Sequence, residues 1–412
     1  MSKSWEQVNP LKYSNYRDDP VDLTLRFFTV GQRFDLDMEG EGTDYDRERL
    51  DISIPALADI SRDLREQALF FIRNSVNRKK YSAEDWRNLL ISLAKAGHKT
   101  FTLAFENKVV RERLRHLLSV SKQTRIKITA EDFTLPWELL YSDDVDEERL
   151  KSLDEDELMG NFWGMKHDIS RMINQRYRPA SGVSNTIHVS SRPSLGLITD
   201  NQLLHVTKKE IPFFENLKKA GKIDLFPMPE LDPAYINKDA EMEKFWNFWD
   251  DMFNITHFAC HASYKKNPQT DSSFRVTKGF CVDLFELKNS KITLKDYPLV
   301  ILNACEMGKI DPLDSWFFAK EFISKGARGV IAAESPVPDV LAAQFTQELY
   351  KHLLAGKFVG ESMLLTRRNL LKKNNPVGLL YSLYAPRNIR LSYQSNSVAG
   401  KRMPSSKWRS LS

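Results

Sequence analysis

Apolar and polar positions change rhythm several times along the chain, and each change marks an element. Between residues 22 and 40, Leu23, Leu25 and Phe27 alternate with polar neighbours and Gly31 sits midway, which predicts two strands joined by a turn. From about residue 47 to residue 77 the spacing turns helical. Leu57, Ile60, Leu64 and Leu69-Phe70 recur at three and four residues, and Pro55 marks the start. Ser82-Ala-Glu-Asp85 reads as a capping box opening a second helix, predicted to run to Ala96 and to stop at Gly97. Residues 124–129 alternate as a strand, and the acidic run 143–157 reads as a solvated loop. Residues 178–185 have the polar composition of a linker.

Beyond that linker the rhythm becomes strand, helix, strand. Strands are predicted at 195–200, 223–226 and 329–333, and at the starts and ends of the stretch 255–308. Helices are predicted up to about Ala220, over 245–253 with Trp246 and Trp249 as core, over 315–325, and as a last pair at 340–354 and 361–372. Short runs rich in β-branched residues that alternate with helices imply a mostly parallel α/β sheet flanked by helices. The front of the chain reads as an N-terminal α+β extension. The resulting division is 1–185, 186–396 and a basic tail, 397–412, expected to be disordered.

Composition changes this picture little. The 412 residues leave room for two domains, and 42% hydrophobic content supports a sizeable core. The net charge of +5 is spread among interspersed acidic and basic residues, so no direct nucleic-acid contact is expected. No apolar run reaches the roughly 20 residues of a membrane span. The start, Met1-Ser-Lys-Ser-Trp-Glu-Gln7, lacks the apolar core of a signal peptide, so a cytoplasmic location is expected. Three cysteines, Cys260, Cys281 and Cys305, cluster in the central stretch, an odd set that fits a reducing compartment better than a disulfide framework.

The candidate chemistry lies where two apolar runs stop. One ends at Cys260-His261-Ala262 and the other at Asn303-Ala304-Cys305. Open α/β sheets gather chemistry outside the carboxyl ends of their strands, so an imidazole and a thiol would meet there. A cysteine peptidase needs a thiolate, an imidazole to protonate the leaving amine and donors for the oxyanion. His261 precedes Cys305 by 44 positions, close to the caspase spacing. In that geometry the backbone N–H groups of Cys305 and Ala262 form the oxyanion hole. A zinc set of His257, Cys260, His261 and Cys281 competes, without a Cys-x-x-Cys pair to anchor it. On a strand, His257 and His261 share a face but project about 13 Å apart. His257 is therefore expected as a hydrogen-bonded core residue, Cys260 as core, and Cys281 as core or a loop thiol.

The segment 195–391 resembles a CHAT domain, a bacterial branch of the caspase-like cysteine peptidases that also include separase. The matching motifs are His257-x-x-x-His261-Ala262, Leu302-Asn-Ala-Cys-Glu-Met-Gly308, Gly326-Ala-Arg-Gly-Val-Ile-Ala332, Pro336-Val-Pro-Asp339, Phe345-x-x-x-Leu-Tyr350 and Asn375-Pro376. Upstream, Leu135-Pro-Trp-Glu-Leu-Leu-Tyr141, Phe162-Trp-Gly164 and Ile169-Ser-Arg171 resemble the front of the same domain. The resemblance implies a caspase-like fold, Cys305 as nucleophile, His261 as general acid/base, a protein substrate and no cofactor or metal. It also implies an endopeptidase restrained until a regulatory protein or signal acts, with 1–185 as the place for it, and a role in defence against phage. Departures bear on specificity. Ala262 stands where the family usually has Gly, and Ser335 where it often has Trp, so Glu334 and Ser335 are candidate pocket residues. Asn303 replaces an Asp that binds basic side chains in metacaspases. Asp200, at a strand end, is a candidate acid of the S1 pocket or a turn former. The competing class is a non-catalytic caspase-fold signalling or scaffold module; a zinc hydrolase is a third reading.

Overall fold

Strand β1 (Leu23–Val30) buries Leu23, Leu25 and Phe27 and turns at Gly31, whose φ of +65° suits glycine, into β2 (Arg33–Gly40). These coordinates are a computed structural model, which describes residues 21–40, 46–130, 133–172, 183–232, 234, 237–263, 272–304 and 312–393. The linker expected at 178–185 falls partly outside these residues, and the tail 397–412 falls wholly outside them.

Where a helix was expected from residue 47, the chain first forms β3 (Asp46–Leu50) and only then α1 (Ile54–Ser75). Cross-strand charge explains the difference. Arg47 and Arg49 of β3 pair with Asp37 and Asp35 of β2, opposite-sign neighbours that favour the strand. Ser82 caps α2 (Ala83–Ala104), its Oγ accepting the Asp85 N–H at 3.0 Å. The helix does not stop at Gly97. That residue is buried mid-helix because the chain passes directly over it: a Cβ there would lie 2.5 Å from the Leu139 carbonyl oxygen. Helix α3 (Lys108–Ser119) then leads to β4 (Arg125–Thr129). The acidic run is not an open loop but holds α4 (Glu147–Ser152) and α5 (Glu155–Gly160), each capped by an Asp. Negative residues in a first turn favour the helix dipole, which a count of charges does not reveal. Short α6 (Trp163–Lys166) precedes β5 (Asp168–Met172), completing a five-stranded sheet in the order β3-β2-β1-β4-β5.

The second half follows β6 (Thr186–Val189) with β7 (Ser194–Thr199), a π-helical turn at Val206–Glu210 running into α7 (Ile211–Lys219), then β8 (Asp224–Pro227) and α8 (Lys238–Asn247). Next come β9 (Ile255–Ser263), the hairpin β10 (Ser273–Val276) and β11 (Phe280–Asp283), α9 (Leu284–Asn289) and β12 (Leu299–Ala304). The chain closes with α10 (Pro312–Ser324), β13 (Gly329–Ala333), α11 (Asp339–Leu353), α12 (Val359–Leu371), β14 (Tyr381–Tyr384) and β15 (Arg390–Tyr393). Strands β8, β7, β9, β12 and β13 run parallel, β14 closes the row antiparallel, and the hairpin extends the end of β9. Strand β15 pairs with β6 apart from this sheet.

Strand β9 shows why these runs are apolar throughout. His257 faces Phe214 and Tyr350 of α7 and α11, whereas Phe258 and Cys260 face Trp249, Phe274 and Phe322 on the other side. Both faces are covered, so alternation disappears. Strand β5 lies against β14, and the two halves meet there through buried charges. Arg171 pairs with both Glu138 and Glu334, Arg65 of α1 reaches Glu334 at 3.1 Å, and Arg367 of α12 reaches Glu138 at 3.3 Å.

Two stability predictions follow from this packing. Gly97→Ala, normally favourable inside a helix, is expected to destabilise by about 1–3 kcal/mol because its methyl group overpacks against the Leu139 carbonyl. Urea unfolding measures it, and a stabilised variant would contradict the close approach. His167 is fully buried, its Nδ1 accepting the Thr124 N–H at 3.2 Å, and burial pushes its pKa down to about 3, aided by Lys166 and Arg368. The unfolded chain takes up that proton first as pH falls through about 6.5, so stability is lost from there down to about 3. The expected contribution is a loss of about 2 kcal/mol between pH 8 and pH 5. Urea midpoints at the two pH values, compared with His167→Gln, check it: the variant should be less pH-sensitive by that amount.

Candidate active site

Parallel strands β9 and β12 run in step from Ile255↔Leu299 to Cys260↔Ala304. The next residue on β9 is His261, half-buried at the strand end; the next after Ala304 is Cys305, which lies outside the described residues. Ala262 is buried and pairs with Phe274 of the hairpin.

Beneath these ends sits a polar knot. Glu210, from the π-helical turn before α7, accepts at Oε1 from His257 Nε2 at 3.0 Å, Asn303 Nδ2 at 2.7 Å and Thr346 Oγ1 at 2.6 Å. Asn303 also donates to Thr346 Oγ1 at 2.9 Å, and Tyr381 OH donates to Asn303 Oδ1. All five residues are buried. His257 is thus the hydrogen-bonded core histidine expected from its position. Asn303 departs from its expected place in a substrate pocket, because its amide is consumed by tying β12 to α7, α11 and β14. The knot joins β9 and β12 four residues before His261 and one before Ala304. Glu210 carried no signal in the sequence, being one charge in the run Lys208-Lys209-Glu210.

The remaining pocket candidates are also placed differently from the expectation. Glu334 follows β13, its N–H bonded to the Leu380 carbonyl, and its carboxylate is shared by Arg65, Arg171 and Tyr384 OH, the last at 2.7 Å. Burial pushes its carboxyl up, and the guanidiniums of Arg171 and Arg65 more than offset this, holding it down at about 2. Ser335 beside it is equally buried. Asp200 ends β7 with its N–H on the Ala259 carbonyl, one strand over from the histidine. It is fully buried; Oδ1 accepts the Gln202 N–H at 3.0 Å and Oδ2 accepts Arg275 Nε at 2.6 Å. Its turn-forming role is therefore met. Its carboxylate is thereby committed to Gln202 and Arg275.

Arg275 was not anticipated. It lies on β10 directly opposite His261 on one side and Cys281 on the other. The alternation in Ser273-Phe-Arg-Val276, with Phe274 and Val276 buried, was the one available clue. Cys281 is an exposed strand residue whose thiol is pushed up by its partial burial, with Arg275 acting against that, while full burial pushes the Cys260 thiol far up. Cys260 and His257 face opposite sides of β9 and His257 is engaged by Glu210, so the four residues of the zinc reading do not converge. Among the described residues no group of three or more His, Cys, Asp or Glu is arranged to hold a metal ion, and no helix is long and apolar enough to cross a membrane.

No curated protein matches the chain in sequence. Among solved structures, it is similar to the separase–securin complex of Saccharomyces cerevisiae, at 11% identity and a TM-score of 0.47, covering 88% of this chain and 30% of that one. The chain thus spans about a third of the separase chain it matches. It is also similar to the Arg-specific cysteine proteinase gingipain R, at 8% identity and a TM-score of 0.42, covering 76% of this chain and 70% of that one. The model of the CHAT domain matches residues 105–396, from the end of α2 to just past β15. By that match, which takes in most of its length, the chain belongs to the CHAT domain family.

Proposed function

We propose that this protein is a cysteine endopeptidase in which Cys305 is the nucleophile and His261 the general acid/base. The observation that carries the reading is the register of β9 and β12: the strands stay paired through Cys260↔Ala304, and the next residue in sequence on each is the histidine and the cysteine. The Cys305 thiolate attacks the scissile carbonyl carbon, and backbone N–H groups of Ala262 and Cys305 receive the oxyanion. The His261 imidazolium gives its proton to the departing amine, leaving a thioester. His261 then takes a proton from water, whose hydroxyl displaces the thiolate and releases the new carboxyl terminus.

The wider role rests on the family resemblance. The enzyme acts in the bacterial cytoplasm as an effector of defence against phage, cleaving a partner protein once a regulatory protein or signal engages residues 1–185. Residues 186–396 form the peptidase domain in this reading. The buried ion pairs that tie Arg65 and Arg171 of the front half to Glu334 support such a coupling, because Glu334 follows the strand next to β12.

A mixture of peptides incubated with wild type and with Cys305→Ala tests this, with products mapped by mass spectrometry and a thiol-directed probe added in parallel. Cuts by wild type alone are expected, with a loss of about a thousandfold or more in the variant. Cuts by both proteins would overturn the dyad. An unreactive Cys305 without cuts would favour the signalling or scaffold module.

A further inference from the structure

The notable feature of the histidine's surroundings is the charge that faces it. Residues directly opposite in an antiparallel pair project from the same face with Cβ atoms about 5 Å apart. The pairs His261↔Arg275 and Arg275↔Cys281 therefore set imidazole, guanidinium and thiol in a row across three strands. Phe274, Val276 and Val282, on the opposite face, are buried in the core with Phe258 and Cys260, which fixes the outward direction of the row.

Asp200 gives the row its sign. The carboxylate is fully buried, whereas the Arg275 side chain is 29% exposed, so the pair stands with its negative end inward and its positive end toward solvent. Only Nε of the guanidinium is engaged by Asp200. The two terminal nitrogens form the second edge of the fork, the geometry that takes a carboxylate in a bidentate pair. The buried aspartate holds the fork rigid, so little side-chain freedom is lost when a ligand binds. Asp200 itself offers a basic side chain little, because both its oxygens are hydrogen-bonded and the carboxylate is buried.

Resting on the peptidase reading above, we infer that Arg275 is a specificity-determining residue: it receives a carboxylate of the substrate, so that cleavage falls within two positions of an Asp or Glu. Asp200 acts through Arg275 as a positioning residue.

The test compares peptides containing Asp or Glu with their Asn or Gln counterparts, for wild type, Arg275→Lys and the double variant Asp200→Asn/Arg275→Gln, which removes both charges and leaves no buried carboxylate unpaired. Wild type is expected to prefer the acidic peptides at least about tenfold in kcat/KM, mostly through KM and weakening with salt. Arg275→Lys should keep part of that preference, and the double variant should lose it. A wild type indifferent to the carboxylate, or a double variant that keeps the preference, overturns the inference. Binding of the same labelled peptides to Cys305→Ala, read by fluorescence anisotropy, separates this from the chemistry. Discrimination in binding without any cleavage by wild type would sink a peptidase active without its signal and leave Arg275 as the recognition group. Equal or absent binding would sink the role of Arg275 whatever is cut.

Discussion

Two carboxylates and three guanidiniums buried between the halves are the constraint on which the rest of the structure depends. Glu138 and Glu334 share Arg171, while Arg367 and Arg65 close the two ends. Burying such charges costs several kcal/mol per ion, and only near-complete pairing offsets it. Here the carboxylates are densely paired, while Arg65 Nε and Nη1 and Arg171 Nε have no hydrogen-bond partner among the described residues. Tyr384 OH and Ser382 Oγ add donors to the carboxylates, and the carbonyls of Gly378 and Tyr381 accept from Arg367. Removing one member leaves an uncompensated charge, so the arrangement tolerates little relative motion of β5, β14, α1 and α12. Such a cluster adds little to net stability, since an apolar interface would have been cheaper to bury.

That docking reaches the site through β13. Glu334 is the residue after this strand, and β13 pairs with β12 over Leu299–Leu302. On the far side of β12, the Glu210 knot clamps Asn303 and His257, so the paired ends of β9 and β12 are fixed from two directions. Parallel strands with in-register partners hold the residues at their ends more rigidly than loops do.

Much of this was legible in the sequence, and what was not has a common cause. Short β-branched runs and their abrupt stops located the parallel strands and the histidine at the end of β9, because burial on both faces leaves a local imprint. Elements defined by a distant partner left none. Strand β3 is charged and reads as helix until Asp35 and Asp37 stand opposite it. Gly97 reads as a stop until the chain from Leu139 to Tyr141 is laid across it. Family motifs place Asn303 before Cys305 and Glu334 before the Pro336-Val-Pro-Asp339 segment; the structure ties Asn303 into the buried knot, and Arg65, 269 positions away, pairs with Glu334.

Asp200 shows most sharply where local reading ends. A strand-end carboxylate beside a candidate histidine suggests an acidic pocket, and the residue is indeed there. A fully buried carboxylate is costly without a counter-ion, and Asp200 is paired with Arg275. The member of the pair that faces solvent is therefore Arg275 rather than the aspartate. The field at a site is a property of which partner is buried, and burial is decided by the sheet register, three strands and 75 residues away from the aspartate itself.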